Sequence, residues 1–185
     1  MDTSDSRIRI ARADDAREIQ AIYAPYVRDT AISFELEPPD ATEVARRIAA
    51  TLATFPWLAW EEDGRIAGYA YASRHRERLA YQWSVDVSAY VHRDFHRRGI
   101  GAALYRDLLA ILRRQGFLNA YGGITLPNAA SVALHESVGF QPLCVYRGVG
   151  FKTGAWHDVG WWHLRLAELP ANPPVPRAFA QLAGR

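Results

Sequence analysis

The chain has 185 residues, a length that suits one domain. Hydrophobic residues make up 49% and charged residues 23%, the balance of an ordinary globular protein, and a net charge of +2 is too mild to argue for nucleic acid as a partner. The single cysteine, Cys144, excludes an intrachain disulfide, and nothing suggests a cysteine-based zinc site. No apolar run approaches the roughly 20 residues of a membrane-spanning helix. The polar start from Met1 to Arg9 does not read as a signal peptide. A cytoplasmic enzyme without a metal and without a membrane partner fits all of this.

In chain order, Arg7 to Ala11 alternates as a short strand. Asp14 and Asp15, with Glu18 as capping-box partner, open a helix carrying Ile19, Ile22, Tyr23, Tyr26 and Val27, which Pro25 should kink or end. Asp40 caps a second helix, with Val44, Ile48 and Leu52 on one face. Trp57 to Trp60 and Ile66 to Ala72 read as a hairpin around Asp63-Gly64. Tyr81 to Val91 is a long extended run, followed by a strong helix with Ile100, Leu104, Leu108, Ile111 and Leu112 in one stripe, closed at Gly116. Leu118 to Leu126 is a strand, Asn128 to Val138 a short helix, and Phe140 to Val149 and Trp156 to Leu166 a late hairpin turning near Thr153-Gly154. The tail from Leu169 carries four prolines and reads as surface-hugging or mobile. Hairpins mixed with crossovers imply an α+β domain over residues 7–166 and a proline-rich tail over 167–185.

The informative segment is Tyr90-Val91-His92-Arg93-Asp94-Phe95-His96-Arg97-Arg98-Gly99-Ile100-Gly101-Ala102. A strand ends, a basic loop follows, and two glycines open a helix. Unpaired backbone N–H groups and the positive end of the helix dipole make such a junction an anion cradle. Taken alone, Gly-x-Gly at a helix start also describes a plain tight turn.

The segment resembles the acetyl-CoA pyrophosphate loop of the GNAT acetyltransferases, whose pattern is Gln/Arg-x-x-Gly-x-Gly/Ala. Gly99 and Gly101 match, and His96 stands where Gln or Arg is usual. Asn128-Ala129-Ala130-Ser131, Leu134-His135 and Gly139-Phe140 resemble the helix that lines the thioester in the same family. Phe34-Glu35-Leu36-Glu37-Pro38, Tyr81-Gln82-Trp83 and Gly150-Phe151-Lys152-Thr153-Gly154-Ala155-Trp156-His157-Asp158 are similar to the phosphinothricin N-acetyltransferase group, which includes methionine sulfoximine and sulfone acetyltransferases. The resemblance spans about residues 7 to 166. It implies a GNAT fold, a mixed and mostly antiparallel sheet of about seven strands flanked by four helices, acetyl-CoA as co-substrate and a homodimer. It also implies that Ala89, Tyr90, Val91, His96, Arg97, Arg98, Gly99, Ile100, Gly101, Ala102, Asn128 and Ser131 border the cofactor.

Transfer to an amine requires that the ammonium lose a proton, that the oxyanion meet a hydrogen-bond donor, and that the leaving thiolate be protonated. Asp86 lies in the extended run among apolar and small neighbours, with Ser84 and Ser88 on its face; it reads as general base or as structural carboxylate. The resembling family has Glu at this position, so Asp86 is one methylene short and a water relay is an expectation. His135 is the expected thiolate proton donor, against the alternative of a helix-surface histidine beside Glu136. The amide of Val91 and its neighbours are expected to hold the thioester carbonyl, freed by a bulge near Ser88 to Tyr90. Arg74, Arg76 and Arg78, at alternate positions, are expected to point one way and bind an acidic acceptor, or to form a solvated turn. Phe34 and Tyr81 are the implied acceptor walls, and Lys152 and Trp156 close the pocket or support a dimer. A small anionic amino-acid-like acceptor is favoured over another amine and over a non-catalytic CoA-binding sensor.

Overall fold

The computed structural model describes residues 7–183; the first six residues and the last two of the tail lie outside that range. Seven strands form one sheet in the order β1-β2-β3-β4-β5-β7-β6, with β1 at Ile8–Ile10, β2 at Trp57–Glu62, β3 at Arg65–Arg74, β4 at Ser84–Val91, β5 at Asn119–Leu126, β6 at Gln141–Lys152 and β7 at Ala155–Arg165. Every neighbouring pair is antiparallel except β4 and β5. The helices are α1 (Ala16–Asp29), α2 (Ala41–Leu52), α3 (Ile100–Gln115), α4 (Ala129–Ser137) and a short α5 (Phe179–Ala183) in the tail.

Strand alternation divides the sheet between two cores. On one face Ala70, Ala72, Val85, Val87 and Ile124 meet the α3 stripe of Ile100, Leu104, Leu108 and Leu112. On the other, Tyr69 and Trp57 meet Ile19 and Ile22 of α1 and Val44 and Ile48 of α2. The β2–β3 hairpin turns with φ of 52° at Asp63 and 71° at Gly64, the left-handed pair that a two-residue turn matched to strand twist demands. Asp40 accepts from the Glu43 amide at 2.7 Å and caps α2 as its sequence position predicts.

Three expectations change. α1 runs through Pro25 to Asp29, because the turn beyond the proline is held from outside: Val27 is buried and the Tyr26 hydroxyl donates to the Val91 carbonyl at 2.6 Å. Asp15 does not cap α1 with Glu18 as its partner; its carboxylate instead reaches back to accept from the Arg12 amide at 2.7 Å. Asp15 accepts both Arg9 guanidinium nitrogens at 2.8 Å, and Glu18 accepts from the Ile66 amide at 2.8 Å. The extended run begins only at Ser84, since Leu79–Tyr81 folds into a 3-10 turn. The tail follows the surface: the Arg177 amide donates to Gln115, the Phe179 amide to Thr54, and Trp83 Nε1 to the Pro174 carbonyl.

Candidate active site

The parallel pair is the opening in the sheet. β4 and β5 pair only through Ser84–Asp86 and Asn119–Tyr121, although β4 continues to Val91 and β5 to Leu126. The His92 amide donates to Ala67 of the β3 side at 2.8 Å. By antiparallel alternation Tyr90 and Ser88 therefore also turn their amides to β3, and Ala89 and Val91 turn theirs to the β5 side. The pairing of β3 and β4 is in continuous register from Gly68–Val91 to Arg74–Val85. The expected bulge is thus absent; the strands free these amides by parting, which needs no extra residue.

At the mouth of the opening, the basic loop leads into α3. Gly99 has φ of 78°, and a Cβ placed there meets nothing within 4 Å, so the helix N-terminus is sterically open. Gly101 does different work: its missing Cβ lets Leu134 of α4 approach, with an added Cβ falling 3.1 Å from the leucine. Ile100 is buried beneath the loop and Ala102 is half-buried. His96 turns inward, its Nε2 3.0 Å from both the Val91 carbonyl and the Tyr26 hydroxyl, so it fastens the loop to the end of β4. Arg98 pairs with Glu62 at 3.2 Å and lies over Phe95, whereas Arg97 (φ 61°) is exposed and has no ion-pair partner among the described residues.

Across the opening, Asn128 caps α4 by accepting from the Ser131 amide at 3.1 Å. His135 is buried against Gly122 of β5, edge-on to Tyr105 and Phe140. Its Nδ1 donates to the Ser131 carbonyl at 2.8 Å, which leaves Nε2 as acceptor for the Tyr105 hydroxyl at 3.1 Å. Burial pulls the imidazole below its usual pKa, the Ser131 bond opposing.

Asp86 lies on the α1/α2 face, so the structure does not bring it together with His135. Its partner is a residue the sequence did not single out. His75 Nδ1 donates to Asp86 Oδ1 at 2.6 Å, and its ring stacks on Tyr121 with centroids 4.3 Å apart. Tyr81 and Trp161 stand edge-on to the same ring at 6.2 and 6.1 Å. Burial pushes the Asp86 carboxyl above its usual range, while the hydrogen bond from His75 and the charges of His75 and Arg76 pull it down. No spacing in the sequence marks His75; the β3–β4 register does, pairing Ser73, two residues before it, with Asp86.

The chain bends at His75, and the three arginines make different contacts around that bend. The Arg76 guanidinium lies 5.6 Å over Trp161 and donates to the His75 carbonyl at 2.7 Å, on the Asp86 side. Arg74 pairs in register with Val85, which belongs to the α3 core, so it projects to the opposite face. With Arg76, Arg78, Thr54, Phe117 and Arg177 it borders a cleft of about 170 Å3 under the tail, so all three arginines reach one cleft. Trp161 Nε1 is buried without a partner among the described residues, an orphaned donor beside Arg76.

The rim is held by Lys152. Its ammonium donates to the carbonyls of Val27, Ser33 and Glu35 at 2.6, 2.6 and 2.7 Å, tying the α1–α2 loop to the β6–β7 hairpin. Phe34, in that loop, covers Gly150 and faces His157 with ring centroids 6.4 Å apart. Trp156 is exposed beside Phe151 and takes no part in the pocket.

An anion cradle at a helix start, inward-facing amides where the sheet parts, and an acid–imidazole pair in an aromatic pocket beneath make the layout of an acyltransferase: a place for a carried acyl group beside a place for its acceptor. Residues 8–161 match the family described as Acetyltransferase (GNAT) domain, and the chain belongs to that family. It is 38% identical to phosphinothricin N-acetyltransferase of Streptomyces viridochromogenes over 95% of both chains. It is 34% identical to the L-methionine sulfoximine/L-methionine sulfone acetyltransferase of Salmonella typhimurium, over 87% of this chain and 95% of that one. A phosphinothricin acetyltransferase from Sinorhizobium meliloti, solved in complex with acetyl-CoA, superposes with a TM-score of 0.87 at 32% identity, over 93% of this chain and 94% of that one.

GNAT enzymes use acetyl-CoA as co-substrate. The residues present are compatible with it: Gly99 leaves the α3 N-terminus open, Arg97 has no ion-pair partner among the described residues, and Ala89 and Val91 turn their amides to the β5 side. Among the described residues no group of three or more His, Cys, Asp or Glu side chains is placed to hold a metal. No helix among them is long and apolar enough to cross a membrane.

Proposed function

We propose that the chain moves the acetyl group of acetyl-CoA to the α-amino group of a small anionic amino-acid-like acceptor of the phosphinothricin or methionine sulfoximine and sulfone type. The observation that carries the acceptor class is Arg76, fixed over Trp161 beside the His75–Asp86 pair. A guanidinium there takes the acceptor's carboxylate or phosphinate oxygens, and the pair lies within reach of its amine. The names of the relatives point the same way.

In this reading Gly99, Arg97 and the α3 N-terminus hold the pyrophosphate, and acetyl-CoA supplies the activated thioester when bound. The Ala89 and Val91 amides stabilise negative charge at the thioester oxygen. Tyr81 and Phe34 wall the acceptor, and Asp86 belongs to the base. His135 takes a positioning role rather than protonating the thiolate. Its one ring proton is engaged by Ser131, and its bond to Tyr105 holds α4, with Asn128 and Ser131, against the opening. The test is release of free CoA thiol with a panel of amino acids and their phosphinate, sulfoximine and sulfone analogues. Turnover with the anionic analogues is expected; tight acetyl-CoA binding with no release from any panel member would refute the reading.

We also infer a homodimer. The edge strand β6 and its turn expose Leu143, Val145, Tyr146, Phe151 and Trp156, an apolar edge of the kind soluble proteins cover. Light scattering at micromolar concentration is expected to give twice the chain mass, and a monomer throughout would refute it.

A further inference from the structure

We infer that His75 Nε2 is the atom that takes the proton from the acceptor's ammonium, with Asp86 orienting the ring and balancing the imidazolium. This rests on the proposed acetyl transfer for its chemistry, and on the geometry of β3 and β4 for its residues.

Asp86 is placed as an orienting group. Its Oδ1 accepts from His75 Nδ1 at 2.6 Å, a bond that leaves the neutral ring with its basic lone pair on Nε2. That nitrogen has no hydrogen-bond partner among the described residues. The plane of the ring is fixed by stacking on Tyr121, and Tyr81 and Trp161 flank it. The groups facing it are therefore Asp86 from β4, Tyr121 from β5, Trp161 from β7, Tyr81 from the 3-10 turn and its own neighbour Arg76, with His163 stacked behind Tyr121. Of these only Asp86 is an anion. Its carboxylate lies against the ring and balances the positive charge that proton transfer would place there. A carboxylate acting alone would be a weaker base toward an ammonium and is already committed to Nδ1–H.

The balance is simple. One ammonium proton moves to Nε2 and frees the nitrogen lone pair. That pair forms the C–N bond to the acetyl carbon, the C–S bond breaks with its electrons on sulfur, and a second nitrogen proton is lost as the amide forms and the thiolate is protonated. The imidazolium then returns its proton to solvent.

Two measurements test this. In the first, His75→Asn keeps a donor toward Asp86 and removes the base. Its kcat at pH 7 is expected to fall about 100-fold or more, with partial recovery as pH rises and free amine accumulates, and with the acetyl-CoA KM unchanged. Imidazole added to His75→Ala is expected to restore rate, which a packing role would not allow. Asp86→Asn is expected to lower the rate and distort the same pH limb. A His75→Asn enzyme within about threefold of the parent, with Asp86→Asn crippled, would make Asp86 the direct base and overturn the proposal. The second is nitrogen-detected NMR of the ring in the intact protein. Protonation at Nδ1, with Nε2 carrying the lone pair, is expected in the neutral ring; the reverse tautomer would overturn it. If the parent protein acetylates no amine, the proposed function fails, and the NMR result still decides the state of His75.

Discussion

Replacing Lys152 by Met removes the ammonium that joins the acceptor loop to the late hairpin while keeping most of the side chain's volume. Three carbonyls, of Val27, Ser33 and Glu35, lose donors at 2.6 to 2.7 Å. Val27 lies in the last turn of α1, where helix carbonyls have no partner within the helix, and both Val27 and Ser33 are buried from water. Leaving a buried acceptor unpaired costs about 1–3 kcal/mol, and relief from desolvating the ammonium offsets part of the total, so a net loss of about 3 kcal/mol is expected. At about 2–4 °C per kcal/mol for a chain of this size, Tm should fall by about 6–12 °C. The loop that carries Phe34 is then untied from Gly150, so the acceptor KM should rise about tenfold with the acetyl-CoA KM held within about twofold. Thermal denaturation and initial rates against each substrate measure the two effects separately. A Tm within about 2 °C of the parent, together with an unchanged acceptor KM, would refute the clamp.

Arg76→Met should raise the acceptor KM by about 10- to 100-fold, the worth of a charge-assisted pair, whereas Arg74→Met, on the other face of the sheet, should change it less than about twofold; steady-state kinetics of the two variants compare them. Gly122→Ala drives a methyl into the His135 ring and breaks its bond to Tyr105, so about 3 kcal/mol of stability should be lost, and a parental melting curve would show that the ring is not confined. His135 is depressed by burial below its ordinary value of 6.5, so the neutral ring is the form the fold favours. Its contribution is complete above about pH 6.5 and is lost as pH falls through the lower folded value; the stability difference between the parent and His135→Gln should shrink over that window in denaturant titrations from pH 8 to 5.

Strong periodicity made α2, α3 and the two hairpins readable from sequence, because Val44, Ile48, Ile100, Leu104 and Leu108 sit on one face by spacing alone. What spacing did not carry was competition between partners. Asp15 looks like a cap until Arg9 is known to reach it, and Pro25 looks like a terminus until Tyr26 is known to bond Val91. The same limit governed the site. The open helix start at Gly99 is local in sequence and was legible. His75, just past the end of β3, and Asp86, on β4, are eleven residues apart. Only the register of β3 on β4 puts them together, and only the bend after Arg74 lets the Arg76 guanidinium lie over Trp161. His96 was legible as a departure from the pattern, but its use as a fastener for the loop needed Tyr26, seventy residues away.

The shorter carboxylate at position 86 is explained by the same register. The resembling family has Glu where this chain has Asp86, and on sequence alone the missing methylene left a gap for water to bridge. In the structure the gap is filled by protein. The His75 ring, packed flat on Tyr121, continues from the Asp86 carboxylate toward Arg76 and Trp161, where the acceptor is proposed to lie. A glutamate at 86 would push its oxygens into the space that this imidazole occupies and would strip it from Tyr121. Carboxylate length and the presence of a histidine at position 75 are therefore one choice rather than two. A ring fixed by stacking and by one short hydrogen bond is also better preorganised than a bridging water, which must be ordered anew in each cycle.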